Sequence, residues 1–386
     1  MWQFSSPEIV FGDEALSRLA DLQARRVAII TDRTLVEAGL VDLLLEHLTP
    51  AEVESELFCD VESEPSIQTM ERARQIIGRV QPDYVIALGG GSVLDVAKVA
   101  WFMNEHPQVP LEEISIFDTY QRPRTGLIAI PTTSGSGADV TVGAVLTDLA
   151  DKRKVVAYAR ELQPTLVLVD PLLTREMPRR LTADTGMDAI SHGIEAFTGA
   201  WHNDFADGLS LQALRLALKY LPRAWSDGSD EEARERMHNA ATIAGLAITN
   251  ASIALGHALA HPLGAVFSLP HGRAIGVMLP YSMVYTANGG GTRYGELARS
   301  LGLPAESEAM GLQSLLAMLR DLVTTLSMPT TVRDLGPSVE EFEAELPNLV
   351  AGAAMDHQML TTIRVPDEAD IERLYRCAYA GDHVDF

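Results

Sequence analysis

Apolar positions in the first half of the chain fall in short, nearly unbroken runs, with segments between them in which they recur every three or four residues. Arg26–Thr31 (RVAIIT), Glu54–Phe58, Asp83–Leu88 (DYVIAL), Leu127–Ile130 and Thr165–Val169 are predicted strands, and their Val/Ile-rich continuity fits burial on both faces. Thr34–Leu48 and Ser66–Val80 carry the helical period, with Ser66 placed to cap the second. Val142–Leu146 and Lys154–Tyr158 predict a hairpin around Asp148–Asp151. Strand–helix alternation of this kind implies a parallel sheet covered by helices.

The pattern changes after Asp170-Pro171. From about Leu181 onward β-type runs are almost absent, and helical periodicity holds over Ala183–Thr198, Asp207–Leu221, Glu231–Thr249, Leu255–Pro262, Glu308–Leu326 and Ile371–Ala380. The expected organisation is an α/β domain over 1–180 and an all-helical domain over 181–386. A length of 386 residues with 47% hydrophobic content suits two such cores.

Charge and cysteine usage narrow the class. With 30 basic against 53 acidic residues the chain carries −23, a surface that repels nucleic acid and anionic lipid. Two distant cysteines, Cys59 and Cys377, make neither a zinc ribbon nor a disulfide framework. No apolar run reaches ~18 residues and no basic segment leads into an apolar one at the start, so a cytoplasmic protein without membrane association is expected.

Two loops at strand ends suit a dinucleotide. In Gly89-Gly90-Gly91-Ser92-Val93-Leu94-Asp95-Val96-Ala97-Lys98, glycines let the backbone approach a pyrophosphate just where a helix N-terminus offers free N–H groups. The spacing is neither G-x-G-x-x-G nor a Walker motif. Pro131-Thr132-Thr133-Ser134-Gly135-Ser136-Gly137 ends another strand and is dense in hydroxyls. Ligands of open α/β sheets sit outside the strand C-termini. Asp32, ending the first strong strand, reads equally as an acid for the ribose hydroxyls, favouring NAD over NADP, or as a helix N-cap.

The strongest chemistry lies in the helical half. Asp188 and His192 are four apart in Gly186–His192, so both leave one helix face. His257 and His261 repeat that spacing, and His271 follows on a predicted loop, placing three of the chain's 10 histidines in one short, mostly apolar stretch. One carboxylate with several imidazoles suits Fe or Zn and not calcium. Spacing alone does not choose between His257 and His261. No H-E-x-x-H or G-x-S-x-G occurs, which disfavours a metalloprotease and a serine hydrolase.

With these segments in hand, the chain resembles the iron-containing (group III) alcohol dehydrogenase family over nearly its whole length. The match runs through Ile9-Val10-Phe11-Gly12, Ile30-Thr31-Asp32, the two loops above, Val169-Asp170-Pro171, Gly186–His192 and His257–Gly272. The resemblance implies an N-terminal dinucleotide-binding α/β domain, an all-α C-terminal domain (the dehydroquinate synthase-like architecture) and a metal in the cleft between them. It assigns the metal to Asp188, His192, His257 and His271, with His261 near the metal but not a primary ligand; by its chemistry His261 reads equally as a proton relay for the alcohol or as a supporting or packing histidine. It assigns the cofactor to Gly90, Gly91, Ser92 and Asp95 at the pyrophosphate, to Thr132, Thr133 and Ser136, to Lys154, and to Asp32 at the ribose. It further implies NAD, with NADP open; Fe²⁺, with Zn²⁺ open; a small alcohol or aldehyde as substrate; and a homodimer or larger homo-oligomer.

The chain departs from the family in two places. Met355–Pro366, which reads Asp356-His357-Gln358-Met359-Leu360-Thr361-Thr362-Ile363-Arg364 within it, stands where relatives often carry a Cys and an Asn-Pro pair, and Glu64-Pro65 replaces the more usual Asn-Pro. The expected reaction is hydride transfer between a small primary alcohol, or its aldehyde, and nicotinamide. A zinc-dependent polyol dehydrogenase of glycerol type is its nearest rival. A dehydroquinate-synthase-like lyase would need a basic cluster around 257–272, which is not evident. A non-catalytic binding protein would not need an intact ligand set.

Overall fold

The computed structural model describes residues 3–149 and 153–386. It divides into two compact units, Met1–Met177 and Pro178–Phe386.

The first unit contains β1 (Glu8–Phe11), β2 (Arg26–Ile30), α1 (Arg33–Glu37), α2 (Leu40–Leu48), β3 (Glu54–Phe58), α3 (Ile67–Val80), β4 (Tyr84–Gly89), α4 (Gly91–Glu105), β5 (Gly126–Pro131), β6 (Gly143–Asp148), β7 (Arg153–Tyr158) and β8 (Leu166–Val169). Six strands form one parallel sheet in the order β1-β8-β5-β4-β2-β3. The inner strands β4, β5 and β8 are buried almost throughout, as their unbroken apolar runs require. The chain leaves β2 toward β3 and returns on its other side as β4, so the crevice between β2 and β4 is the point where strand order reverses. Parallel register sets Ile30 beside Ala87 and Gly89 beside Pro131, which brings Asp32 and both glycine-bearing loops to the same C-terminal edge of the sheet.

Two details differ from the sequence expectation, whereas the predicted hairpin forms. The predicted helix over Thr34–Leu48 is two helices, α1 and α2, broken at Gly39, whose φ of 77° is left-handed. The edge strand β1 was not evident in the pattern: four residues long and half exposed, it gives too little alternation to read. The β6–β7 ribbon pairs antiparallel from Gly143–Tyr158 to Asp148–Arg153, and part of the predicted turn, residues 150 and 151, lies outside the described residues.

The second unit is helical: α5 (Arg179–Thr198), α6 (Asp204–Ser226), α7 (Glu231–Ala251), α8 (Leu255–Phe267), α9 (His271–Asn288), α10 (Tyr294–Ser300), α11 (Glu308–Thr325), α12 (Val339–Ala354) and α13 (Glu368–Ala380). One large apolar core drawn from α5 through α13 fills it, with two small alanine clusters between α5, α6 and α7. Helix α5 runs through the middle, and every residue from Gly186 to Thr198 is buried. Gly186 and Gly193 meet Leu221 and Leu214 of α6 so closely that a Cβ would stand 2.3 and 2.8 Å from their side-chain atoms. Helices α9, α10 and α12 escaped the sequence reading, because Pro280 and Pro347 interrupt two of them and α10 has only 7 residues. None of the described helices is long and apolar enough by itself to cross a membrane.

Candidate functional site

In the helical unit the predicted donors converge on one atom. Nε2 of His192, His257 and His271 lie 3.5, 3.6 and 3.4 Å from Oδ1 of Asp188. Those separations are too long for hydrogen bonds. They match donors that share a tetrahedral ion, which at about 2.1 Å from each would hold them roughly 3.4 Å apart. Asp188 Oδ1, His257 Nε2 and His192 Nδ1 are buried and have no hydrogen-bond partner among the described residues. Buried polar groups left so are costly, and a cation would satisfy the first two. The ligand atoms of Asp188, His192 and His257 all lie within 4.8 Å of one another. His271 joins them from an exposed position, with 43% of its side chain accessible.

Local sequence explains the convergence. Asp188 and His192 stand one turn apart on the face of α5 that looks away from its glycines. His257 sits in the first turn of α8. His271 opens α9, with Pro270 at the N-cap, which corrects the expected loop. Pro270 fixes the entry into the helix, and Arg273 pairs with both oxygens of Asp184 at 2.8 and 3.0 Å. Burial drives the His192 imidazole down to about 4, so it is neutral, the form that ligates. Burial would raise the Asp188 carboxyl, but His192, His271 and His257 hold it well below the usual carboxylate range.

Two functional residues escaped the sequence reading. Glu195 accepts a short hydrogen bond from Nδ1 of His257 and another, at 2.7 Å, from the Gly256 amide. Burial alone would raise its carboxyl; His257 and the amides of Ala254 and Gly256 outweigh that and lower it. Its signal was present, since Asp188, His192 and Glu195 follow at i, i+4 and i+7, and a carboxylate at that spacing shares their face. Asp356 accepts from Nδ1 of His261 at 2.7 Å. His261 stacks on His271, with ring centroids 5.3 Å apart. The partner of His261 lies 95 residues away, so no local pattern could announce it.

In the first unit the two loops face each other. Gly90 caps α4, and a Cβ there would stand 3.2 Å from Thr133; one on Gly91 would stand 2.9 Å from the Ser136 hydroxyl. The Thr132 amide donates to Gly89 O at 3.1 Å. Ser92 Oγ donates to Ser63 O at 2.6 Å. Asp32 accepts from the Leu35 amide at 3.0 Å, so it does cap α1, and Arg33 beside it is engaged by Asp60. Lys154 donates to Thr147 Oγ1 at 2.9 Å and pairs with Glu64, the residue that replaces the family's Asn. Asp95 accepts from the Val145 amide at 2.9 Å, and burial raises its carboxyl to about 6 against the pull of Lys98. The wholly buried Lys98 donates to Thr141 Oγ1 and Gly143 O, both at 2.9 Å, and burial lowers it to about 8.

Two facing glycine- and hydroxyl-bearing loops at the C-terminal edge of a parallel sheet, and one carboxylate with three imidazoles around it, are the features expected of one class, the metal-dependent dehydrogenases. The comparisons narrow it. Residues 6–171 match the family described as iron-containing alcohol dehydrogenase, and residues 182–379 match the C-terminal domain of the Fe-containing alcohol dehydrogenase family. The NADPH-dependent butanol dehydrogenase of Clostridium saccharobutylicum is 32% identical over 392 residues, covering 100% of both chains. Aldehyde-alcohol dehydrogenase 2 of Entamoeba histolytica is 34% identical over 98% of this chain, which spans 46% of that relative's length. Among solved structures, the iron-containing alcohol dehydrogenase of Thermococcus thioreducens superposes with a TM-score of 0.90 at 30% identity, over 99% of this chain and 100% of the other. Sulfoacetaldehyde reductase of Bifidobacterium kashiwanohense, solved with NAD⁺, gives 0.86 at 27% identity, over 99% and 100%. The chain belongs to the iron-containing alcohol dehydrogenase family and is an oxidoreductase of that kind.

Proposed function

We propose that the protein interconverts a small primary alcohol and its aldehyde by hydride exchange with NAD(H), using Fe²⁺ held by Asp188, His192, His257 and His271. The observation that carries the reading is the approach of three imidazole nitrogens to one unpartnered oxygen of Asp188. When bound, the ion supplies Lewis acidity to the substrate oxygen.

The chain's own residues do the rest. His261 donates from Nδ1 to Asp356, which leaves Nε2 to take the alcohol proton in oxidation and return it in reduction. Gly90, Gly91 and Ser92, at the N-terminus of α4, receive the pyrophosphate. Thr132, Thr133 and Ser136 line the facing loop, and Lys154 and Asp95 border the same loops. Asp32 keeps one carboxylate oxygen for the ribose beyond its helix-capping bond, and it repels a 2′-phosphate. We assign the protein to the cytoplasm as a homodimer or larger homo-oligomer.

The test is NADH-coupled reduction of a graded aldehyde series, run on the protein as purified, after chelation, and after adding back Fe²⁺ or Zn²⁺. Activity abolished by chelation and restored best by Fe²⁺ supports the reading. Full turnover after complete metal removal defeats it.

A further inference from the structure

We infer that Glu195 is the positioning residue of the metal centre: from beneath His257 it holds that imidazole's proton on Nδ1, aims Nε2 at the ion, and balances the charge the ion carries inward. The inference rests on the metal reading above.

An ionised carboxylate only accepts hydrogen bonds, so the short contact between Glu195 Oε2 and His257 Nδ1 requires the proton to sit on Nδ1. With the ion bound, His257 would be the neutral imidazole that ligates, with its one N–H on Nδ1 and the lone pair of Nε2 left for the ion. That nitrogen stands 3.6 Å from Asp188 Oδ1 with no hydrogen-bond partner among the described residues. The second oxygen, Oε1, accepts the Gly256 amide, so one carboxylate grips both the ring and the backbone of the turn that presents it. The residue at 256 has to be small for this: a Cβ there would stand 2.8 Å from Oε1 and 3.1 Å from Ser282 Oγ.

Charge makes the same demand. A divalent ion with Asp188 would leave one positive charge at a site open to solvent only on the His271 side; His257 is 0% exposed and Glu195 5%. An uncompensated buried charge is costly, and Glu195 cancels it. Carboxylates behind ligating imidazoles act in this way in metal proteins generally.

Were Glu195 only a cap for α8, metal affinity would be indifferent to its charge. Glu195→Gln is nearly isosteric, but its amide puts an NH2 where the carboxylate presents a second acceptor oxygen, so the His257 and Gly256 donors no longer each face an oxygen. Titrating the full-length protein with Co²⁺ against a competing chelator is expected to show about 10- to 100-fold weaker binding in Glu195→Gln. Gly256→Ala, which keeps the carboxylate but crowds it, should also weaken binding. Equal Co²⁺ affinity in parent and Glu195→Gln overturns the inference and leaves the metal site standing. A parent that binds no Co²⁺ overturns both.

Should the variants not fold, the parent itself decides. In Zn²⁺-loaded, ¹⁵N-histidine-labelled protein, His257 is expected with its proton on Nδ1 and Nε2 bonded to metal. The reverse assignment refutes the role given to Glu195.

Discussion

Gly272 lies against the main chain of Asp184 so closely that a Cβ would come within 1.9 Å of the Asp184 carbonyl oxygen. Asp184 stands one helical turn before Asp188, and Gly272 directly follows His271. The contact therefore sets the distance between the first turn of α9 and the helix that supplies two of the donors. The ion pair between Arg273 and Asp184 fixes its direction.

Gly272→Ala should thus act on metal binding through the backbone. The added methyl must push α9 away from α5, at a cost of about 1–3 kcal/mol in stability. His271 moves with it, and a displacement on the order of 1 Å can lower turnover about 100-fold. Metal content after dialysis and kcat should fall together. Normal values for both would mean that something else positions His271.

His271→Ala removes the exposed donor without opening a cavity in the core. The helical unit should fold as before, with circular dichroism unchanged, while turnover falls by at least about 100-fold and metal washes out more readily. Undiminished turnover would falsify the four-donor assignment.

Removal of the metal should also expose its part in stability. A ligand that binds only the folded state stabilises it, by about 2.7 kcal/mol at a hundred times its Kd. Chelated protein is expected to melt at a lower temperature in scanning calorimetry, and Fe²⁺ should restore the higher midpoint. A midpoint indifferent to chelation would indicate that the donors bind no ion.

Cofactor choice tests Asp32. Replacement by Gly keeps most of the N-cap's stability, since Gly at that position costs only a few tenths of a kcal/mol. The ratio of kcat/KM for NADH over NADPH should fall at least about tenfold as the repulsive carboxylate goes. Arg33 beside it forms an exposed ion pair with Asp60 at 2.7 Å. An unchanged ratio would reduce Asp32 to a helix cap.

The buried pair of α4 predicts a pH dependence of stability. Burial raises the Asp95 carboxyl from 3.8 to about 6, so between those values the folded protein holds a proton the unfolded chain releases. Stability from this group is complete below pH 3.8 and is lost as pH rises through about 6, at up to roughly 1.4 kcal/mol per pH unit. Urea denaturation of parent and Asp95→Asn should show the parent losing ground to the variant across that window. A constant difference would contradict the assignment.

How far the sequence discloses this molecule depends on the range of the interaction. Strands β2, β4, β5 and β8 were legible because burial on both faces leaves continuous apolar runs, and α3 was legible because Ser66 caps it. Helix α9 was not, since Pro270, Gly272 and Pro280 read as loop signals until the packing against Asp184 explains the glycine. Asp188, His192, His257 and His271 could be named from helical spacing and the resemblance. Their carboxylate supports could not be named so easily. Asp356 reaches His261 across 95 residues of chain, and Glu195, though on the ligand face of α5, meets its partner His257 only through the packing of α8 against that face.

Helix α5 leaves evolution little room. One flank is pressed against α6 through Gly186 and Gly193, the opposite flank carries Asp188, His192 and Glu195, and no residue between Gly186 and Thr198 reaches the surface. Drift in such a segment is close to forbidden. New substrate tastes must be written elsewhere, and a library meant to diversify this enzyme should leave α5 alone and randomise the 355–366 stretch, where Met355, Leu360 and Val365 are exposed.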